Sequence, residues 1–190
     1  MKPGLKDALV NAVTEVGWSH KIQEKQADRY REAYKWWTFA QLFTAGLTST
    51  GAVTVLISDS IASKVATIVL GVLSFLSSGI LKAWDFQNMA EKSKEYANQL
   101  FVLREKLTDA LRDLAFDMKT ESELQNIWEL LEKERLDLAP FAIPTSDKAV
   151  KKAKHQLKDR RDNIREDDYA LFISSDILDK LDIVQSWRKR

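Results

Sequence analysis

The stretch "WWTFAQLFTAGLTSTGAVTVLIS", residues 36–58, contains no Asp, Glu, Lys or Arg in a chain of which 30% is charged. Such a helix is either the core of a soluble bundle or the first of two helices that cross a membrane. A second uncharged run, "VATIVLGVLSFLSSGIL" (65–81), follows after only "SDSIASK" (58–64). That connection suits a tight turn between antiparallel helices.

At about 1.5 Å per residue, residues 36–57 rise roughly 33 Å and residues 61–81 roughly 31 Å, against a hydrocarbon core of about 30 Å. In the second segment the single charge, Lys64, lies one turn from the start and can snorkel to the interface. The first is less apolar, because it holds Gln41 and the hydroxyls of Thr38, Thr44, Thr48, Ser49, Thr50 and Thr54. Its insertion is expected to depend on pairing with the second. Trp36 and Trp37 open the first segment and Trp84 closes the second, where interfacial aromatic belts form. Lys21, Lys25, Arg29, Arg31 and Lys35 precede the pair and Lys82 follows it, while the turn offers Lys64 alone. The positive-inside rule then places both termini in the cytoplasm. A membrane hairpin is favoured over a soluble bundle, with Trp36, Trp37, Trp84, Lys64 and Lys82 as interfacial anchors.

The 190 residues include three prolines, six glycines and no cysteine. Long β-type alternation is missing, so the chain reads as all-α. Leu5, Leu9, Ala12, Val13 and Val16 share one helical face, and Gly17 is expected to end or bend that helix. From Ser19 a second helix carries Ile22, Gln26, Tyr30, Ala33 and Trp37 into the first uncharged run. Past Lys82, positions Phe86, Ala90, Ser93, Ala97, Leu100, Arg104, Leu107, Leu111 and Leu114 follow alternating steps of four and three. This predicts a heptad helix that leaves the second apolar segment without a break and packs on the helix beginning near Ser19. Ser93 and Arg104 interrupt its apolar seam. "TESE" (120–123) predicts a capping box and opens a helix holding Leu124, Ile127, Trp128, Leu131 and Leu138, which stops at "PFAIP" (140–144). A basic helix with Val150, Ala153, Leu157 and Ile164 inside follows, then an acidic-apolar ending. The division expected is a two-transmembrane domain at 5–118, with membrane segments at about 36–57 and 61–82, and a cytoplasmic helical extension at 119–190.

Within the first membrane segment Gln41, Thr44, Thr48 and Gly51 share a face; in the second Ser63, Thr67, Gly71, Ser74 and Ser78 do. Small and hydroxylated stripes of this kind pack helices closely. They would alternatively line a water-filled path once several copies assemble, since one hairpin encloses no pore. No acidic ring suggests an ion filter.

The absence of cysteine removes disulfides, thiolate catalysis and Cys-based metal sites. His20 and His155 are far apart, in no metal-binding spacing, and His20 reads as a packing residue. Neither a phosphate loop nor a nucleophile elbow is present. No enzymatic activity and no cofactor are expected. The first apolar run starts behind a charged helical segment, unlike a cleaved leader. The basic run Lys148, Lys151, Lys152, Lys154, Lys158, Arg160, Arg161 and Arg165 is diluted by Asp147, Asp159 and Asp162 and has no aromatic residue for base stacking. It reads as a solvated face, with no nucleic acid expected as partner.

The order of features resembles the SLATT family of bacterial two-transmembrane effectors, named for association with nucleotide-signal synthases and SLOG nucleotide sensors. The resemblance rests on "WSH" (18–20), "EKQADRY" (24–30), "LTSTG" (47–51) and the long helix beginning "KAWDFQNMAEKSKEYANQL" (82–100). "AVKKAKHQLK" (149–158) and "SSDILDKLD" (174–182) look like a C-terminal extension of one subgroup. The resemblance implies an anti-phage or conflict-system effector that oligomerises in the bacterial inner membrane and permeabilises or depolarises it when triggered. Partners would be the bilayer, further copies of the chain, and a nucleotide-signal-linked or other defence protein. Gln41, Thr44, Thr48, Ser63, Thr67 and Gly71 would line or pack the path. The alternative is a non-enzymatic membrane-anchored scaffold that recruits a cytoplasmic partner.

Overall fold

The computed structural model describes residues 3–57, 60–159 and 172–181. Every regular element among them is helical. In chain order these are α1 (Pro3–Ile57), α2 (Ile61–Trp84), α3 (Phe86–Ala115), α4 (Glu121–Leu138), a 3-10 turn (Ala139–Phe141), α5 (Asp147–Lys154) running into a π-helical turn (His155–Asp159), and α6 (Ser175–Lys180). Internal contacts group them into two units, Ala27–Glu91 and Met1–Gln26 with Lys92–Arg190.

In the second of these units, the apolar face of α1 meets the heptad seam of α3. Leu9 and Val13 are 0% exposed, as are Leu103 and Leu111 opposite, and Leu124, Leu131, Ile177 and Leu178 complete the core. Leu5, Ala12 and Val16 are buried as their spacing predicts, and so are the seam residues Ser93, Ala97, Leu100, Leu107 and Leu114. Arg104 stays at the edge of the seam, its guanidinium 5.0 Å from the Phe101 ring centre and its Nη2 2.6 Å from Glu105. Thr120 caps α4 as expected: its hydroxyl accepts from the Glu123 N–H, and the Glu123 carboxylate accepts from the Thr120 N–H at 2.8 Å. Such a cap contributes about 1 kcal/mol.

Three expectations need correction. First, Gly17 neither ends nor bends a helix, because α1 runs unbroken from Pro3 to Ile57. The glycine is needed for close approach instead: a Cβ there would lie 2.7 Å from Cγ of Phe172. The Phe172 ring sits in that notch, edge-on to Trp18 with ring centres 6.0 Å apart. The helix starting near Ser19 is thus the continuation of α1, and it does pack on α3, through His20 on Phe101 and Glu24 on Lys94.

Second, the apolar segment does not pass unbroken into the heptad helix. Asp85 adopts a left-handed conformation (φ 32°, ψ 53°) that ends α2, a region Asp tolerates better than most residues. Its carboxylate then accepts from the Asn88 side chain at 3.0 Å and backbone at 3.4 Å, restarting the helix as α3. Third, α5 turns Ala149 and Ala153 inward, both 0% exposed, while Val150 lies outside at 39%. Ile164 and Arg160, Arg161 and Arg165 fall outside the described residues, as do Ser58 and Asp59 of the turn.

Buried polar contacts fix the chain between α4 and α5 to α1. Gln23 Nε2 donates to the Ile143 carbonyl at 2.7 Å, and Gln26 Oε1 accepts from the Ser146 hydroxyl at 2.8 Å. Nearby, burial and the adjacent Arg104 charge hold the His20 imidazole down at about 4. Burial pushes the Glu24 carboxyl up, but the hydrogen bond and charge of Lys21 and the charge of Lys94 outweigh it and bring the group to about 2.

Both shifts mean that the unfolded chain binds protons which the folded chain refuses. Stability is therefore expected to fall as pH drops from about 6.5 to about 4 through His20, and again from about 4.5 to about 2 through Glu24. Thermal melts of the detergent-solubilised protein across this range check it, and His20→Gln should flatten the upper part of the decline. Gly17→Ala is expected to destabilise by about 1–3 kcal/mol through overpacking, and by less when Phe172→Ala is present, which a double-mutant cycle measures.

Candidate functional site

Helical hydroxyls can either pair across an interface or fold back on their own backbone. In the unit Ala27–Glu91 they mostly fold back. Thr44 donates to the Ala40 carbonyl at 2.8 Å, Thr48 to Thr44 at 2.7 Å, Thr67 to Ser63 at 2.9 Å and Ser78 to Ser74 at 2.9 Å. Thr38 Oγ1 differs, being buried without a partner. Each satisfied hydroxyl presents mainly its small size to the neighbouring helix.

The stripes on α1 and α2 face each other. Gln41 Nε2 donates to Ser78 Oγ at 2.9 Å. A Cβ on Gly71 would lie 3.9 Å from the Thr48 methyl, and one on Gly51 would lie 2.5 Å from Thr67 Oγ1 and 3.5 Å from Thr67 Cβ. The pairs 41/78, 48/71 and 51/67 keep a nearly constant sum, which is the register of an antiparallel hairpin. Gly51 is its tightest point, whereas Gly71 leaves ordinary contact distance for a methyl group. An interhelical hydrogen bond such as Gln41 to Ser78 contributes about 0.6–2 kcal/mol in hydrocarbon. Thr44, Ser63 and Ser74 lie half-buried on the same inner faces.

The outer face of α2 is apolar and uncovered, and so is part of that of α1. Phe75 of α2 is 76% exposed and Leu42 of α1 is 67% exposed, and Ile68, Val69 and Val72 are also exposed. Among the described residues, the helical run Ile61–Ala115 is long and apolar enough to cross a membrane, and 6% of its apolar stretch is buried. A core helix of a soluble bundle would be mostly covered. Trp36 and Trp84 stand exposed at the ends of the hairpin and Trp37 is half-buried; Lys64 and Lys82 are exposed. The Trp84 and Phe86 rings lie 6.0 Å apart.

Pattern reading on single helices missed a second feature of α1. Gly46, Ser49, Thr50 and Thr54 are exposed on the side away from α2, and nothing lies within 4 Å of a Cβ on Gly46. The corresponding face of α2 is Val65, Ile68, Val69, Val72, Phe75 and Leu76, with no hydroxyl among them. The contrast is visible only once the inner faces are assigned.

A family profile, the SMODS and SLOG-associating 2TM effector domain family 4, matches residues 5–168. The chain belongs to this SLATT family. It is accordingly a membrane effector of defence-related systems, and the SLATT domain carries no known catalytic fold. Neither a curated protein nor a solved structure matches the chain.

The inner-face register is open to a direct check, since the chain has no native cysteine. Gly51→Cys with Thr67→Cys places two Cβ atoms about 3.5 Å apart, within disulfide range. Mild oxidation in membranes is expected to remove both thiols from alkylation within one chain, whereas Gly46→Cys with Thr67→Cys should leave both reactive.

Proposed function

We propose that this SLATT effector oligomerises in the bacterial inner membrane through α1 and, once triggered, opens a path that depolarises the cell. The observation that carries this reading is the asymmetry of the hairpin's outer faces. The wholly apolar face of α2 suits lipid. The hydroxylated half of α1, at Gly46, Ser49, Thr50 and Thr54, suits either a neighbouring copy or water. Because Ser49, Thr50 and Thr54 donate to their own helix at 3.0–3.1 Å, this face tolerates lipid in the resting state and wetting in the open one.

Toward the other end of the segment, Phe39 and Phe43 stack at 5.9 Å on the exposed side of α1. A ring of such side chains makes a hydrophobic constriction that closes by dewetting. In this reading the inner stripes hold the hairpin together and the path is lined by the outer face of α1. Cationic residues before Trp36 and after Leu81 support a multi-pass topology with both termini cytoplasmic. Triggering would come from a defence-system partner.

A voltage-sensitive dye in bacteria strongly overexpressing the chain, where crowding in the membrane drives assembly without the trigger, tests the proposal. Depolarisation is expected with wild type and should be lost when Ser49, Thr50 and Thr54 are all changed to Leu, with the Gly51→Cys/Thr67→Cys disulfide still forming. Depolarisation unaffected by those changes would remove the α1 face from the path. Membrane-bound oligomers that leave the potential intact with the partner present would favour a scaffold.

A further inference from the structure

We propose that residues 172–181 form an exchangeable docking segment, seated here along α1 of their own chain and, in an assembly, along α1 of a second copy. The segment lies beyond the residues 5–168 that match the family profile. Even so, it closes the core of the unit that holds the start of α1.

Two ties fix its course. At one end the Phe172 ring fills the notch left by Gly17 and lies edge-on to Trp18. At the other, the Lys6 ammonium donates to the Leu181 carbonyl, at a helix C-terminus, where a cation is favoured. From Gly17 back to Lys6, α1 covers about 16 Å in about three turns, so the segment runs antiparallel to it. Ile173, Ile177, Leu178 and Leu181 are buried, while Ser174, Ser175, Asp176, Asp179 and Lys180 are exposed. The apolar side chains of the segment are thus turned to α1 and its neighbours and the polar ones away, the pattern of a short helix laid in an apolar groove.

The helix within the segment, α6, has only six residues, too short to persist alone in water, so the segment takes its shape from the groove that receives it. A foreign helix would have to reproduce both an aromatic ring at the Gly17 notch and the apolar spacing behind it. A second copy carries both, and is concentrated in the same membrane. Exchange of identical segments keeps every contact listed above, which makes it a low-cost route to an assembly. This exchange concerns assembly alone and stands whether or not the assembled hairpins open a path.

Because the chain has no native cysteine, cross-linking of the full-length protein tests the exchange. A Cβ on Gly17 lies 2.7 Å from Phe172 Cγ. The Cβ atoms of the two positions are therefore no more than about 4.2 Å apart, within disulfide range. Gly17→Cys and Phe172→Cys are made in separate, differently tagged chains that are reconstituted together in vesicles and mildly oxidised. The same two substitutions in one chain are the control, and its intrachain bond shows that both are compatible with the fold. Mass spectrometry is expected to find the 17–172 disulfide between chains in the mixture and mainly within the chain in the control. Diluting the protein about tenfold in lipid should lower the interchain product by about tenfold and leave the intrachain product unchanged. An intrachain bond in the control with no interchain 17–172 bond in the mixture would reserve the groove for its own segment and overturn the exchange. A bond in neither would overturn the seating of the segment itself.

Discussion

Two nearly uncharged helices can remain in hydrocarbon only if their backbone groups find partners inside the pair, and here all but a few of their hydroxyls, Thr38 being an exception, do so too. The contact of Gly51 with Thr67 is where this constraint is tightest. Close approach there requires a missing side chain on one helix and a hydroxyl turned back to its own carbonyl on the other. Thr48 meets Gly71 at a looser spacing, its hydroxyl likewise turned back, and the row ends in the Gln41 to Ser78 bond. With the inner faces used this way, the bulky residues must point outward. The exposed Phe75 and Leu42 are therefore a consequence of the hairpin and are compatible with lipid, not water.

The soluble-facing chemistry obeys a different rule. In the unit of Met1–Gln26 with Lys92–Arg190, leucines on heptad spacing are covered by other helices, and polar residues of α1 act as fasteners. Gln23 and Gln26 hold the segment after α4, and Lys21 and Lys94 converge on Glu24. Charges at the edge, such as Lys106 on Glu134, contribute little individually. Stability there comes mainly from buried leucines, each of which would cost about 2–5 kcal/mol if truncated to alanine.

Much of this was legible in the sequence. Two uncharged runs of spanning length, the heptad steps and the Thr120 to Glu123 box each follow a local pattern that the structure reproduces. What pattern reading gets wrong has local and distant causes. Gly17 looks like a helix breaker until Phe172, far along the chain, is seen to occupy its notch. Heptad counting ignores backbone handedness and so passes over Asp85, although "DFQN" (85–88) offers a capping side chain in the right place. Apolarity alone places Val150 inward, yet the close packing of α5 selects the smaller alanines. The mutual pairing of the two stripes was in principle readable, since Gln41 and Ser78 lie at nearly equal distances from the turn. The outer hydroxyl face of α1 gained meaning only by contrast with α2.

The central claim is that the apolar outer face of α2 is covered by lipid. Spin labels attached at Phe75→Cys and Ile68→Cys in reconstituted vesicles test it, by comparing relaxation from membrane-dissolved oxygen with relaxation from a water-soluble nickel chelate. High accessibility to oxygen and little to nickel is the expected result. High accessibility to nickel would place this face in water, and low accessibility to both would place it in a protein core; either would contradict a membrane hairpin.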